Sequence, residues 1–190
     1  MAKIVISENV SLDGVVEDPT GEEGFVHGGW FEQYMGNDRG AWAGVEYQEA
    51  LGADALLLGR RSDEYFGTRW NAAKGEWPDR LNSLPKYVVS STLVAPVWRN
   101  GVVLHGDAVA EVSKLKEEVQ GEIVVYASRQ LVRTLLEHDL VDELRLVVFP
   151  VILGSGERLF GETSKKTSLH LRDTRAVGEG LSILRYTVIR

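Results

Sequence analysis

The run Gly121-Glu-Ile-Val-Val-Tyr126 is apolar and β-like, yet it breaks at Ala127-Ser128 and at once becomes helix-periodic, with apolar residues at Leu131, Val132, Leu135, Leu136 and Leu140. A change of period from two to about 3.6 across so short a break specifies a strand feeding the N-terminus of an amphipathic helix. The handover recurs. Asp54–Leu58 is a short apolar run ending in Gly59-Arg-Arg-Ser62, where another helix starts, and Val102–His105 precedes the amphipathic segment Ala108–Val119. Such alternation places the chain in the α/β class, as a mainly parallel sheet covered by helices.

Further strands are expected at Lys3–Glu8, at Lys86-Tyr-Val-Val-Ser-Ser-Thr92 and at Glu143–Phe149, the last stopped by Pro150, and a helix over Trp42–Leu51. Ser168–Val177 and Leu181–Ile189 flank Gly178-Glu-Gly180 and read as an antiparallel C-terminal hairpin. From Gly24 to Gly44 glycine and aromatic residues abound without a sustained period, which predicts a long loop. Its aromatic content favours a lid, closing from Val15 to Gly40, over disorder. With no internal repeat, low-complexity tract or linker, residues 1–190 are expected to form one domain.

Composition removes several function classes. A net charge of -7 argues against a general nucleic-acid binder, which needs a basic surface to displace counterions. No apolar run approaches the roughly 20 residues of a membrane helix, and the start Met1-Ala-Lys-Ile lacks signal-peptide character, so a cytoplasmic address is expected. Zero cysteines exclude disulfides and thiolate zinc sites. His27, His105, His138 and His170 show no ligand spacing, so no metal is predicted.

Open α/β sheets bind ligands beyond the carboxyl ends of their strands. Three such ends carry Gly59-Arg60-Arg61-Ser62, Ser90-Ser91-Thr92 and Ala127-Ser128-Arg129-Gln130. Guanidinium groups match phosphate bidentately, hydroxyls and helix-terminal amides donate to its oxygens, and small residues let the backbone approach. Ser128 is a natural N-cap, whereas Arg129 in the first helical turn opposes the positive end of the helix dipole, a conflict that a bound anion resolves. Together the three ends suit a dinucleotide, and paired arginines favour its 2'-phosphorylated form. The competing interpretation makes Arg60 and Arg61 a solvated pair and lets the serines merely end a strand. No Gly-x-Gly-x-x-Gly follows a strand, so an ordinary Rossmann fingerprint is absent.

The segment Val141-Asp-Glu-Leu-Arg-Leu-Val-Val-Phe-Pro-Val-Ile-Leu-Gly-Ser-Gly-Glu-Arg-Leu-Phe160, with Ser11-Leu-Asp-Gly14 and Leu58-Gly-Arg-Arg-Ser62, resembles the dihydrofolate-reductase-like proteins related to the reductase domain of bacterial riboflavin biosynthesis. The resemblance covers nearly the whole chain. It implies a three-layer dihydrofolate-reductase-like fold, NADPH as hydride donor and, as is usual in the family, a homodimer. It places Gly59, Arg60 and Ser62, with Arg61 beside them, near the cofactor phosphates, and Ser90 with Ser91 near the adenosine phosphate. Ala127, Ser128, Arg129 and Gln130 then line the pyrophosphate turn, and Asp13 with Gly14 covers the nicotinamide. Where Ala127 stands the family commonly has glycine. A deaminase signature of the fused riboflavin enzyme needs cysteine and is therefore excluded.

The family's dihydrofolate reductases place one carboxylate in the helix after the mobile loop. Asp38, Glu46 and Glu49 are its counterparts here, with Glu46 foremost because it borders the small-residue stripe of Ala43 and Ala50. Asp13 or Glu46 is expected to hold the water or proton the reaction needs. Trp30 and Phe31, with Tyr34, would stack on a flat heteroaromatic substrate, or pack the loop onto the core. The expected activity is NADPH-dependent hydride transfer to a small pterin-, pyrimidine- or flavin-like heterocycle or imine. The alternatives are a non-catalytic nucleotide-binding or oligomeric interaction protein that kept the fold, and a flavin-binding member. A dimer would also use the continuous apolar run Leu144–Leu153.

Overall fold

Strand β1 (Lys3–Ser11) runs through the middle of the sheet, and a computed structural model that describes residues 1–161 and 165–190 shows what is built around it. After β1 come α1 (Trp30–Met35), α2 (Arg39–Gly52), β2 (Ala55–Gly59), α3 (Arg60–Trp70), α4 (Glu76–Ser83) and β3 (Lys86–Val89). Then follow β4 (Gly101–Leu104), α5 (Ala108–Glu118), β5 (Glu122–Tyr126), α6 (Arg129–Glu137), β6 (Glu143–Phe149), β7 (Ser168–Val177) and β8 (Leu181–Ile189). Eight strands lie in the order β4-β3-β2-β5-β1-β6-β8-β7. The first six are parallel, whereas β8 pairs antiparallel with β6 and with β7. This is the parallel sheet with an antiparallel C-terminal hairpin that the sequence predicts.

Side-chain alternation on the strands divides the core between two faces. Ile4, Ile6 and Val10 of β1 meet Val112 and Leu115 of α5 and Leu131, Val132 and Leu135 of α6. Val5 points the other way, to Ala50 of α2, Leu81 of α4 and Trp98. A third cluster packs Trp30 and Met35 of α1 on Val147 and Phe149 of β6. Burial of that many apolar side chains, each contributing roughly 1.5–3 kcal/mol, fixes the three layers.

The structure departs from sequence expectation in four places. The segment expected as an unstructured lid contains α1 and the first turn of α2. Its loop winds around Asp18, whose buried carboxylate accepts hydrogen bonds from the Glu22, Glu23 and Phe25 amides at 2.7, 3.0 and 3.0 Å. Helix α4 was not foreseen. β1 continues to Ser11 because its last residues pair with β6 as far as Ser11↔Phe149. Finally, the apolar run Leu144–Leu153 is used largely within this chain: Leu144 and Leu146 face one core cluster, Val147 and Phe149 another, with Val151 and Leu153 packed against the latter. Its continuity reflects a strand covered on both faces and does not call for a partner.

Candidate functional site

β5 pairs with β1 only as far as Ser7↔Tyr126, while β1 runs on beside β6. Residues Glu8–Ser11 therefore border a notch in the carboxyl edge of the sheet. Its opposite side is the turn from β5 into α6, where Ala127 and Ser128 both have left-handed backbone, with φ of 49° and 61°. Two such L residues in succession cost about 1–2 kcal/mol each, which gives a physical reason for glycine in this turn. Ser128 precedes α6 but makes no side-chain cap to it. Its hydroxyl instead donates to Ser62 Oγ at 2.8 Å or to the Tyr126 carbonyl at 3.0 Å, and accepts from the Gly59 amide at 2.9 Å. The expectation of an N-cap is corrected: the hydroxyl latches the turn to the start of α3.

That latch brings Gly59, Arg60, Arg61 and Ser62 beside Ala127, Ser128, Arg129 and Gln130. Neither α3 nor α6 has a side-chain cap at its N-terminus. Arg60 and Arg61 are exposed, and among the described residues Arg61 has no ion-pair partner. Arg129 is paired at 2.6 Å with Glu157, so a carboxylate already answers the dipole conflict expected to mark an anion. Ser90 and Ser91 lie just past the end of β3, where Ser90 Oγ accepts from the Thr92 and Leu93 amides at 3.2 and 3.0 Å. First-turn amides, two exposed arginines and a narrow turn are the donor set a diphosphate requires.

The structure gives Asp13 a different job from proton handling. Its carboxylate accepts from the Leu153 and Gly154 amides at 3.1 and 2.9 Å and from Ser11 Oγ at 2.7 Å. Desolvation pushes its pKa upward, but these bonds prevail and bring it down to about 2. Asp13 thus stays ionised and clamps the loop after β6, while Gly14, at φ 81°, makes the turn. Trp30 is fully buried, edge-on to Phe149, and its indole donates to the Glu17 carbonyl at 2.9 Å. It packs the segment down rather than offering a face. Phe31 is half-buried and contacts Trp42 at 5.0 Å between ring centroids. Asp38 accepts from the Glu179 and Gly180 amides at 2.8 and 2.7 Å, holding the hairpin turn, where a Cβ on Gly178 would collide with it at 2.0 Å.

Carboxylates gather instead on α2 and β1. Trp42 Nε1 donates to Asn9 Oδ1 at 2.9 Å, and the Ser7 hydroxyl acts on Glu49, so α2 runs antiparallel to β1 with its N-terminus at the notch. Glu46 lies between them, level with the end of β5. Both glutamates are about nine-tenths buried, at 7% and 6% exposure. Burial, then repulsion by Glu49 and Glu8, holds the Glu46 carboxyl well above the ordinary carboxylate range. Burial also raises Glu49, against the opposing charge of Arg145 at 3.3 Å. Among the described residues Glu46 has no hydrogen-bond or ion-pair partner, and the Tyr126 hydroxyl stands against Glu49.

Glu8, which the sequence reading did not single out, borders the same notch. Burial pushes its carboxyl up to about 8, against a hydrogen bond from the Asn9 backbone. Between pH 4.5 and 8 the folded form keeps a proton that the unfolded chain has released, so this contribution to stability is full at low pH and disappears as pH rises. Melting temperature is expected to fall over that window, and less steeply in Glu8→Gln; equal slopes in scanning calorimetry would contradict the assignment. Among the described residues no group of three His, Asp or Glu side chains is placed to hold a metal, and no helix is long and apolar enough to cross a membrane. A cleft of about 330 Å³ lies between the N-terminal half of α2 and the carboxyl end of β7, lined by Ala41, Val45 and Arg175.

Comparison with known proteins gives these features a family context. The model of the RibD C-terminal domain matches residues 2–183. Uncharacterized protein YyaP of Bacillus subtilis (strain 168) is 29% identical over 191 residues, covering 97% of this chain and 94% of the relative. A putative riboflavin biosynthesis protein from Shewanella sp. PV-4 superposes with a TM-score of 0.76 at 21% identity, over 99% of both chains. Dihydrofolate reductase from Enterococcus faecalis, solved with NADP(H) and RAB-propyl, superposes with a TM-score of 0.60 at 14% identity, over 98% of this chain and 96% of that one. The fold is dihydrofolate-reductase-like.

Proposed function

The chain belongs to the RibD C-terminal domain family, and from that premise we propose that it is an NADPH-dependent reductase of a small heterocyclic compound containing a C=N bond. The observation that carries this reading is the latched notch: a left-handed turn, two helix N-termini without side-chain caps and Arg60 with Arg61 meet within one edge of the sheet. NADPH, when bound, supplies the hydride from its nicotinamide C4. Gly59, Ser62, Ser128 and Gln130 would bind the diphosphate through first-turn amides and hydroxyls, and Arg60, Arg61, Ser90 and Ser91 would bind the adenosine phosphate. Asp13 and Gly14 hold the loop over the nicotinamide end. Glu46, protonated, supplies the proton to the acceptor nitrogen, and the rings of Phe31 and Trp42 flank the substrate.

Titration of NADPH fluorescence tests binding, and loss of the nicotinamide absorbance with a panel of pterins, aminopyrimidines and cyclic imines tests turnover. Ser128→Ala removes the acceptor of the Gly59 amide. It is expected to weaken NADPH roughly tenfold, about 1.4 kcal/mol. Unchanged affinity would remove the latch from the binding site, and binding without oxidation across the panel would favour a non-catalytic nucleotide-binding protein. The proposal includes a cytoplasmic homodimer. Support for the dimer is edge strand β7, of which every residue but Val177 is exposed, an open row of backbone donors and acceptors suited to a second copy.

A further inference from the structure

The side of the C-terminal hairpin that faces α2 is basic, in a chain whose net charge is -7. Leu181 and Ile183 of β8 and Val177 of β7 pack toward α1 and α2. Arg185, two residues past Ile183, and Arg175, paired with Ile183 across the strands, therefore project on that same side. Arg172 stands at the bulge of β7, and its Nε donates to Thr187 Oγ1 at 2.9 Å, which lays it over this side as well. Side chains two residues apart on one strand are separated by about 7 Å, so the three arginines form a row.

Little in the protein answers their charge. Among the described residues Arg172 and Arg185 have no ion-pair partner, and Arg175 has only Asp173, at 4.0 Å. Arg185 Nε is buried without a hydrogen-bond partner. By contrast Arg145, which β6 places directly across from Arg185, is held by Glu49, Glu122 and Glu143. The stripe of α2 turned to the hairpin, Ala41, Gly44, Val45 and Gln48, carries no carboxylate. Asp38, just before α2, gives its oxygens to the Glu179 and Gly180 amides.

Between that stripe and Arg175 lies the cleft of about 330 Å³. Ala41 and Gly44 leave room on the helix side, Val45 and Val177 supply apolar surface, and Gln48 and Arg175 supply polar groups. A partly apolar cleft of this size with a few convergent polar groups suits a small molecule. A guanidinium fork takes a carboxylate or phosphate through two parallel hydrogen bonds, and neighbouring cations focus an anion onto it. The cleft uses a different stripe of α2 from Trp42, Glu46 and Glu49, and so is separate from the notch. We propose that it binds a small organic anion, whose apolar body lies on Val45 and Val177. Its carboxylate or phosphate group is held by Arg175 and Arg185, with Arg172 adding charge. This site stands independently of the cofactor reading.

Because the chain has no cysteine, Ala41→Cys gives a single thiol in the cleft. Its alkylation by iodoacetamide, an uncharged reagent, is expected to slow at least fivefold with saturating 2-naphthyl phosphate or 2-naphthoate, and not with 2-naphthalenemethanol. The concentration dependence of protection yields each Kd, and the tighter of the two anions distinguishes a phosphate ligand from a carboxylate. Adding Arg175→Gln or Arg185→Gln should raise that Kd at least fivefold, whereas the pair Arg60→Gln and Arg61→Gln should leave it unchanged. Arg175 is exposed, so its variant keeps the fold should Arg185→Gln lose it. Equal protection by the neutral alcohol, no protection by either anion, or protection abolished by the loss of Arg60 and Arg61 would each overturn the proposal. So would alkylation that slows as protein concentration rises without ligand, since a second copy would then fill the cleft.

Discussion

Replacing Arg145 by methionine is expected to cost about 3–5 kcal/mol of folding stability near neutral pH, because it removes one cation from three carboxylates and leaves one of them deeply buried. The guanidinium is 8% exposed, donates through Nε to Glu143 at 2.6 Å, through Nη2 to Glu122 at 2.8 Å and through Nη1 to Glu49 at 3.3 Å. Desolvation alone would lower its pKa; Glu143, Glu49 and Glu122 outweigh that and raise it. Methionine keeps much of the aliphatic stem, so packing loss is small and the electrostatic loss dominates. The deficit has a pH signature. Without Arg145 the already raised Glu49 carboxyl rises further, and its protonated form is retained in the fold while the unfolded chain ionises. Stability contributed by that proton is present below the unfolded pKa and lost as pH rises, so denaturant midpoints should differ less at about pH 5 than at about pH 8. Adding Glu49→Gln to the variant should restore part of the loss through the coupling of the pair. A deficit under about 1 kcal/mol, or one independent of pH, would mean that solvent replaces the guanidinium.

The regular parts of the fold were legible because hydrophobic period determines them. Leu131, Val132, Leu135 and Leu136 all became the buried stripe of α6, and the hairpin around Gly178-Glu-Gly180 has the strands its alternation predicts. Legibility failed where stabilisation is nonlocal. Helix α1 spans six residues, lacks a side-chain cap and follows a left-handed Gly29, so no local signal announces it; burial of Trp30 against Phe149 holds it. Asp18 and Asp38 serve loop amides that only the tertiary structure brings to them.

The site divides along the same line. The arginine and serine clusters at the ends of β2 and β5 could be found because they sit at strand-to-helix changes, while the latch through Ser128 joins residues 66 and 69 positions apart and could not. One signal was available and underused. Trp42, Glu46, Glu49 and Ala50 recur at helical spacing on α2, so two glutamates occupy positions where the pattern requires apolar residues. Charge in phase with a core stripe marks a buried polar site rather than a solvated face. Glu8 escaped for the opposite reason: it is a single charge in a strand, and only the early end of β5 leaves it at a notch.

Glu46→Gln is expected to lower kcat on a neutral C=N acceptor by about 10²–10⁴-fold, the range typical of a lost general acid. Glutamine keeps the shape and can still donate a hydrogen bond, but cannot release a proton to the acceptor nitrogen. Burial first, then Glu49 and Glu8, keeps the wild-type carboxyl protonated beyond the ordinary carboxylate range. The wild-type rate should therefore fall as pH rises through that raised pKa, and the variant should lose this limb. NADPH affinity should not change, since Gly59, Ser62 and Ser128 lie across the notch. A permanently N-methylated iminium gives the internal control, because its reduction takes no proton and suffers only the loss of binding, a factor of roughly ten. Selective damage to the neutral acceptor thus separates proton donation from general misfolding or misplacement. Equal losses on the two acceptors, or a retained pH limb in the variant, would move the acid elsewhere, with Glu8 the next carboxyl at the same edge.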